Sequence, residues 1–254
     1  MGRIAGVDTI LLAGGYATRL YPLTLDRPKA LLPVGGKPIL DHIVGVLDRS
    51  DDVGRMFLVT NARFAGQFSE WAARKRLEKP IRILNDGTCS NETRLGAIGD
   101  VQFVLTHADV RTEEGVYVLG TDNLARFDIT EIIRLAQARK ASAVFASRMD
   151  DLGRLRRMGV AVLDETGRMV EFEEKPQYPK SNLAVPPFYA YSPEAAGLVE
   201  VYLREGNNRD APGHFIAWLV RRGPVYACRT EQPVYDVGTL EAYHAVCALY
   251  EQAQ

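Results

Sequence analysis

The sequence predicts an α/β protein with a mixed, mainly parallel sheet flanked by helices. Three observations point there. Short apolar runs alternate with helix-like segments through Ser147, a hairpin pattern takes over after about Arg154, and no linker or internal repeat divides the chain.

Taken in order, Thr9 to Ala13 is a short apolar run ending on Gly14-Gly15, which reads as a buried strand. Pro38 to Leu47 is a helix, because Ile39, Leu40, Ile43, Val44 and Leu47 share one face and Pro38 suits a helix start. Met56 to Thr60 is a strand and Phe64 to Leu77 a helix. Ile81 to Leu84 is a strand, and a helix follows over Thr93 to Thr106. Val116 to Leu119 is a strand ending at Gly120. Thr130 to Arg139 is a helix that Thr130 or Asp128 can cap. Ala143 to Ser147 completes the alternation. Beyond it, Val160 to Leu163 and Met169 to Phe172 flank Asp164-Glu165-Thr166-Gly167, a good hairpin turn. Phe188 to Tyr191 is a further strand, and helices run over Pro193 to Arg204, His214 to Arg221 and Thr239 to Glu251. Strand-helix alternation implies parallel strands with crossover helices, a Rossmann-like sheet whose ligands bind beyond the strand carboxyl ends. The expectation is one domain, 1–254, with halves at about 1–153 and 154–254.

Composition narrows the function. With 46% hydrophobic and 25% charged residues, the 254-residue chain has the balance of a soluble globular protein. Its net charge of -1 offers no basic surface for nucleic acid, although a few local cations can still bind an anion. Cys89, Cys228 and Cys247 are scattered, so neither a disulfide framework nor a zinc site is expected, and a reducing cytoplasm is the simplest setting. The start at Met1-Gly2-Arg3 is no signal peptide and lacks the Ser or Thr of a myristoylation motif. No apolar run is long enough to span a membrane. His42, His107, His214 and His244 show no ligand spacing, and no Ser-His-Asp or Cys-His set is visible.

The most informative segment is Leu11-Leu12-Ala13-Gly14-Gly15-Tyr16-Ala17-Thr18-Arg19-Leu20-Tyr21-Pro22-Leu23-Thr24, followed by Arg27-Pro28-Lys29-Ala30-Leu31-Leu32-Pro33-Val34. Two glycines after a strand let backbone N–H groups approach a base or an anion, and Arg19 and Lys29 supply cations for a polyphosphate. The pattern is neither G-x-G-x-x-G nor a Walker A loop. Three further segments carry candidates: Leu119-Gly120-Thr121-Asp122-Asn123, then Gly159-Val160 with Phe172-Glu173-Glu174-Lys175-Pro176, and Val234-Tyr235-Asp236-Val237-Gly238-Thr239. Taken singly, each reads equally well as a turn or a solvated strand end. Arg154-Leu155-Arg156-Arg157 reads first as a short solvated loop, with an oligomer contact or part of the site entrance as the lesser alternative.

Together these segments resemble the sugar-1-phosphate nucleotidylyltransferases, whose signature L-A-G-G-x-x-T-R-L-x-P-L-T with P-K-x-L-x-P-V is matched almost without a gap from Leu12 to Val34. The resemblance implies a Mg²⁺-dependent transfer of a nucleotidyl group from an NTP to a sugar-1-phosphate, releasing pyrophosphate, with dTTP or UTP favoured as donor. It implies that Asp122 and Asp236 bind the metal. By the same likeness the first half binds nucleotide through Leu12, Ala13, Gly14, Gly15, Thr18, Arg19 and Gly96, with Asn85 and Asn91 as candidate base readers. The second half binds the sugar phosphate through Gly159, Glu174, Lys175 and Asn182. Arg19, Lys29, Asp122, Lys175 and Asp236 form the implied catalytic set. Partners are thus NTP and sugar-1-phosphate, with no nucleic acid and no membrane, and a homo-oligomer is left open.

Several positions depart from the family pattern. Asn85 to Gly96 replaces the usual G-L-A-Q or G-T-A-G form, Met158 and Val234 stand where Tyr and Trp are usual, and Val185-Pro186-Pro187 replaces a polar Asn-Thr-Gly run. The last change predicts a less polar sugar pocket, since proline has no backbone N–H. No hexapeptide repeat occurs through Gln254, so a catalytic domain alone is expected. A phosphocholine-type cytidylyltransferase and a non-catalytic regulatory homologue stay open as alternatives.

Overall fold

The computed structural model describes residues 6–252. The chain runs β1 (Val7–Ala13), β2 (Pro33–Val34), β3 (Lys37–Pro38), α1 (Ile39–Arg49), β4 (Val53–Thr60), α2 (Ala65–Ala73), β5 (Ile81–Asn85) and α3 (Ala97–His107). It continues with β6 (Val116–Gly120), β7 (Asn123–Ala125), α4 (Glu131–Arg139), β8 (Ser142–Arg148), α5 (Leu152–Leu155), β9 (Gly159–Leu163) and β10 (Met169–Glu174). The last elements are β11 (Leu183–Val185), β12 (Phe188–Tyr191), α6 (Pro193–Arg204), α7 (Gly213–Val220), β13 (Val225–Thr230), β14 (Val234–Asp236) and α8 (Leu240–Glu251).

Ten strands form one mixed sheet in the order β10-β9-β11-β8-β12-β6-β1-β4-β5, with β13 parallel to β8. Strands β5, β4, β1 and β6 are mutually parallel, and β1 lies between β4 and β6. Their carboxyl ends, at Ala13 and Gly120, form the crevice where open α/β sheets bind ligands. The two halves of the chain share this sheet, because β12 pairs antiparallel with both β6 and β8.

The period of two along each strand sorts side chains to two cores. Leu11, Met56, Leu58, Tyr117, Leu119 and Phe145 pack under α1, α2, α4 and α8. Their neighbours Ile10, Phe57, Val59, Val118 and Val144 pack under α3, α6 and α7. Both faces of the central strands are therefore buried, which explains why they read as continuous apolar runs.

The helices form where the sequence predicts them, with two informative differences at their ends. α1 buries Ile39, Leu40, Ile43, Val44 and Leu47. α6 starts at Pro193 behind Ser192, whose hydroxyl accepts from Ala195 N at 3.2 Å, and α8 is capped the same way by Thr239 on Ala242 N. α3 begins at Ala97 rather than Thr93, because Gly96 stands at φ 80 and a Cβ there would lie 2.6 Å from Arg209 O. The first two N–H groups of α3 donate to the carbonyls of Asp210 and Arg209. α2 stops at Ala73, short of Leu77. Arg154 to Arg157 is no free loop. It belongs to the turn of α5, pinned by buried Leu155 against Val160 and Ala184.

Candidate active site

A cavity of about 1230 Å³ opens at the carboxyl ends of β1 and β6 and reaches into the second half of the chain. One end is floored by the loop after β1. Thr121 Oγ1 donates to Leu12 O at 2.8 Å and Asn61 Nδ2 to Gly14 O at 3.0 Å, so this glycine loop is held from both sides. Leu12, Ala13, Gly14, Gly15 and Arg19 all line the cavity, as does Gly96 at the start of α3. Arg19 is exposed in a single 3-10 turn over Thr18–Leu20.

The centre is acidic. β14 pairs antiparallel with β7, setting Asp236 opposite Asn123, and Val237 N donates to Asp122 O at 2.9 Å. This small ladder brings together two aspartates 114 positions apart in the chain. Lys29 Nζ lies 2.8 Å from Asp122 Oδ2, and Asn123 Nδ2 lies 2.7 Å from Oδ1. Burial works against the charge of Asp122, but Lys29 and Asn123 outweigh it and hold the carboxyl below its ordinary range. Asp236 goes the other way. Burial and the Asp122 carboxylate raise it, against weaker relief from Lys29, Arg19 and Arg154. Two converging carboxylates, the second only weakly relieved, make a hard-oxygen donor set suited to a divalent cation.

At the far end, Glu174 sits opposite Gly159 in the β9–β10 ladder, and its side chain is 9% exposed. Burial raises its carboxyl, with Lys175 pulling the other way. A Cβ on Gly213 would stand 1.9 Å from Glu174 Oε2, so the start of α7 closes directly on this carboxylate. Lys175 takes the left-handed conformation at φ 53, costly for a lysine, and its N–H donates to Met158 O at 3.0 Å. Val185 and Pro187 line the cavity, as do Arg154, Arg156 and Arg157. Each site carboxylate lies against a glycine: Asp122 on Gly120, Glu174 on Gly213, Asp236 on Gly238.

Four of the sequence-derived candidates lie outside the cavity lining: Thr18, Asn85, Asn91 and Asn182. Asn85 Oδ1 accepts from Gly87 N at 2.9 Å and shapes its own turn. Asn182 Nδ2 faces Asp150 Oδ1 at 3.3 Å, and Asn91 O accepts from Arg94. Conversely, sequence reasoning left out Asp100, and it reads Arg154 to Arg157 first as a solvated loop, whereas Arg154, Arg156 and Arg157 line the cavity. Asp100 had a signal, an acidic residue on an otherwise apolar helix start; the arginines had none beyond their charge.

The family model described as "Nucleotidyl transferase" matches residues 8–253. The chain belongs to the nucleotidyl transferase family. Among related sequences, a putative mannose-1-phosphate guanyltransferase of Sulfolobus acidocaldarius is 32% identical over 195 residues, 76% of this chain and 51% of that protein. The UTP–glucose-1-phosphate uridylyltransferase AglF of Haloferax volcanii is 29% identical over 187 residues, 74% of this chain and 72% of its own length. The chain thus spans about half the length of several relatives it matches, among them the guanyltransferase at 51%. A solved putative glucose-1-phosphate thymidylyltransferase from Bacillus anthracis superposes with a TM-score of 0.78 at 23% identity, covering 97% of this chain and 96% of that one. At that identity the likeness bears on the fold, which this nucleotidyl transferase family member shares across both halves of its sheet.

Proposed function

We propose that this chain transfers a nucleotidyl group from an NTP to a sugar-1-phosphate and releases pyrophosphate. One observation carries the reading: Asp122, Asp236 and Lys29 converge at the carboxyl ends of β1 and β6, in the same cavity as Glu174 and Lys175. Residues 1–153 take the nucleotide in this reading and 154–254 the sugar phosphate.

The nucleophile, a phosphate oxygen of the sugar phosphate, is already anionic, so no general base is needed. It attacks the α-phosphorus in line, the bond to the bridging oxygen breaks, and pyrophosphate leaves. The obstacle is repulsion between two anions, which makes the chemistry one of positioning and charge neutralisation. Asp122 and Asp236 would hold Mg²⁺, which fits two carboxylates converging in one cavity, Asp236 being raised by burial and by the Asp122 carboxylate beside it. When bound, the ion supplies positive charge to phosphate oxygens. Arg19 neutralises the departing pyrophosphate, Lys29 steadies the NTP phosphates, and Lys175 holds the attacking phosphate. Glu174 accepts from sugar hydroxyls, and the Gly159 backbone faces the same ring. Val185 and Pro187 leave this wall short of donors, so glucose-1-phosphate is not strongly preferred over deoxy, amino or other modified sugar-1-phosphates.

The resemblance favours dTTP or UTP as donor. Relatives' names span guanyl, uridylyl and adenylyl transfer, and Asn85 and Asn91 do not reach the cavity. Among the described residues no helix is long and apolar enough to cross a membrane, and three free cysteines suit a reducing, cytoplasmic setting. The test is pyrophosphate release over a matrix of NTPs against sugar-1-phosphates and phosphocholine. Release with at least one sugar-1-phosphate is expected. Release with phosphocholine alone, or with no acceptor, overturns the reading.

A further inference from the structure

The cavity holds positive charge that the reaction above does not assign. Lys29 is paired with Asp122 at 2.8 Å, Arg94 with Asp210 at 2.7 Å, and Lys175 stands 3.9 Å from Glu174. Those pairs cancel. Left over on the lining are Arg19 in the first half and Arg154, Arg156 and Arg157 in the second, none of whose side chains has a hydrogen bond or ion pair among the described residues. The three are fixed at the acceptor end. Leu155 between them is buried against Val160 and Ala184, Arg157 N donates to Arg154 O at 2.9 Å, and Met158 N donates to Leu155 O at 3.2 Å. Met158 O accepts from Lys175 N, and the next residue is Gly159. One residue thus ties the arginine turn to both groups placed on the sugar phosphate. At the same time the Arg154 charge acts on Asp236, together with those of Lys29 and Arg19.

Resting on the nucleotidyl-transfer reading, we infer that Arg154, Arg156 and Arg157 clamp the acceptor's phosphate and present it to the NTP. The charge balance calls for such a group. Arg19, Lys29 and Lys175 are matched one for one by Asp236, Asp122 and Glu174, so the side chains assigned so far carry no net charge. The acceptor phosphate brings about two negative charges toward a triphosphate that is itself anionic. A divalent ion on the aspartates offsets only part of that repulsion, and Lys175 shares its charge with Glu174. Three guanidiniums within four residues, without a carboxylate partner, repel one another and find their counter-charge in a ligand. Their planar forks suit phosphate oxygens, which they can hold bidentately. Their exposure leaves them free to meet a ligand entering the cavity.

The test uses the full chain with Arg154→Gln, Arg156→Gln and Arg157→Gln, singly and together. Glutamine removes the charge, and Leu155 keeps the turn in place. Equilibrium binding of a panel of sugar-1-phosphates and of pyrophosphate is measured first, so that no turnover is required. The sugar-1-phosphate that binds tightest is expected to lose about tenfold in affinity per arginine. Pyrophosphate, which Arg19 and Lys29 hold, should change far less. Wild-type affinity for the sugar phosphate should fall as ionic strength rises, and the triple variant should show a flatter dependence. The triple variant should melt no lower than the wild type, since like charges have been removed. No sugar-1-phosphate bound by the wild type, unchanged binding in the triple variant, parallel loss of pyrophosphate, or a lower melting temperature with the same salt dependence overturns the inference. Pyrophosphate release with an unchanged acceptor KM in the triple variant overturns it while leaving the transfer reaction intact. Loss of sugar-1-phosphate binding in the variants, with no pyrophosphate released from any NTP by the wild type, overturns the reaction and leaves the clamp standing.

Discussion

Asp100 makes a prediction about stability that is independent of any ligand. Its carboxyl moves from 3.8 in the unfolded chain to about 8 in the folded one, burial being the main cause and Asp86 the second. Because the folded pKa is raised, the folded state binds the extra proton between those two values. The stability it contributes is full below pH 3.8 and is lost as pH rises toward 8. One tenfold change in proton affinity is about 1.36 kcal/mol, so the whole interval has a ceiling of about 5–6 kcal/mol. Between pH 5 and pH 8 the ceiling is about 4 kcal/mol, and relaxation of the site and water entry lower it to about 1–3 kcal/mol. Asp100→Asn keeps the shape, offers Asp86 an N–H donor and removes the titration. The variant is therefore expected to gain stability over the wild type on going from pH 5 to pH 8. For a chain of this size each kcal/mol corresponds to about 2–4 °C in Tm. The assay is a pair of melting curves at half-unit pH steps, read as the difference between the two proteins so that other titrations cancel. A difference that stays flat across the range, or shrinks as pH rises, refutes the burial argument.

Other expectations concern the chemistry. Asp122→Ala or Asp236→Ala should each lower turnover by orders of magnitude without changing the circular dichroism spectrum, since each lines the cavity rather than the core, and excess EDTA should stop the wild type; near-normal rates in any of these cases would remove the metal assignment. Arg19→Ala should reduce kcat by about 10²–10³, with Arg19→Lys recovering only part because a point charge lacks the bidentate fork. If steady-state kinetics show a change in KM alone, Arg19 only binds the ground-state triphosphate. Gly213→Ala places a methyl 1.9 Å from Glu174 Oε2 and must displace that carboxylate, so KM for the sugar phosphate should rise while NTP binding is kept. Loss of both in parallel would mean that Gly213 supports the fold instead.

Much of this molecule is legible in its residue order because the relevant physics is local. Buried parallel strands need continuous apolar runs, so β1, β4, β6 and β8 announce themselves; α1, α6 and α8 carry their periodicity and start signals in consecutive residues. The glycine loop, Arg19 and Lys29 lie in one unbroken segment, and the Asp122, Glu174-Lys175 and Asp236 turns keep their spacing to it within each motif. What the sequence could not show is which distant pieces meet. β7, β11 and β14 are three residues long, too short for any alternation to be read, and each exists only because a partner strand satisfies its backbone. Yet β14 is what carries Asp236 to Asp122. Asn85 and Asn91 stand in the right stretch of chain for reading a base, but the turn at Gly87 and the late start of α3 at Gly96 leave them outside the cavity. The same late start puts Asp100 in the first turn over Gly14, and the packing of α5 on Val160 brings three arginines to the opening. Strand and helix identity follow from neighbours in sequence; the meeting of charged side chains follows from loop closure and register, which only the folded chain decides.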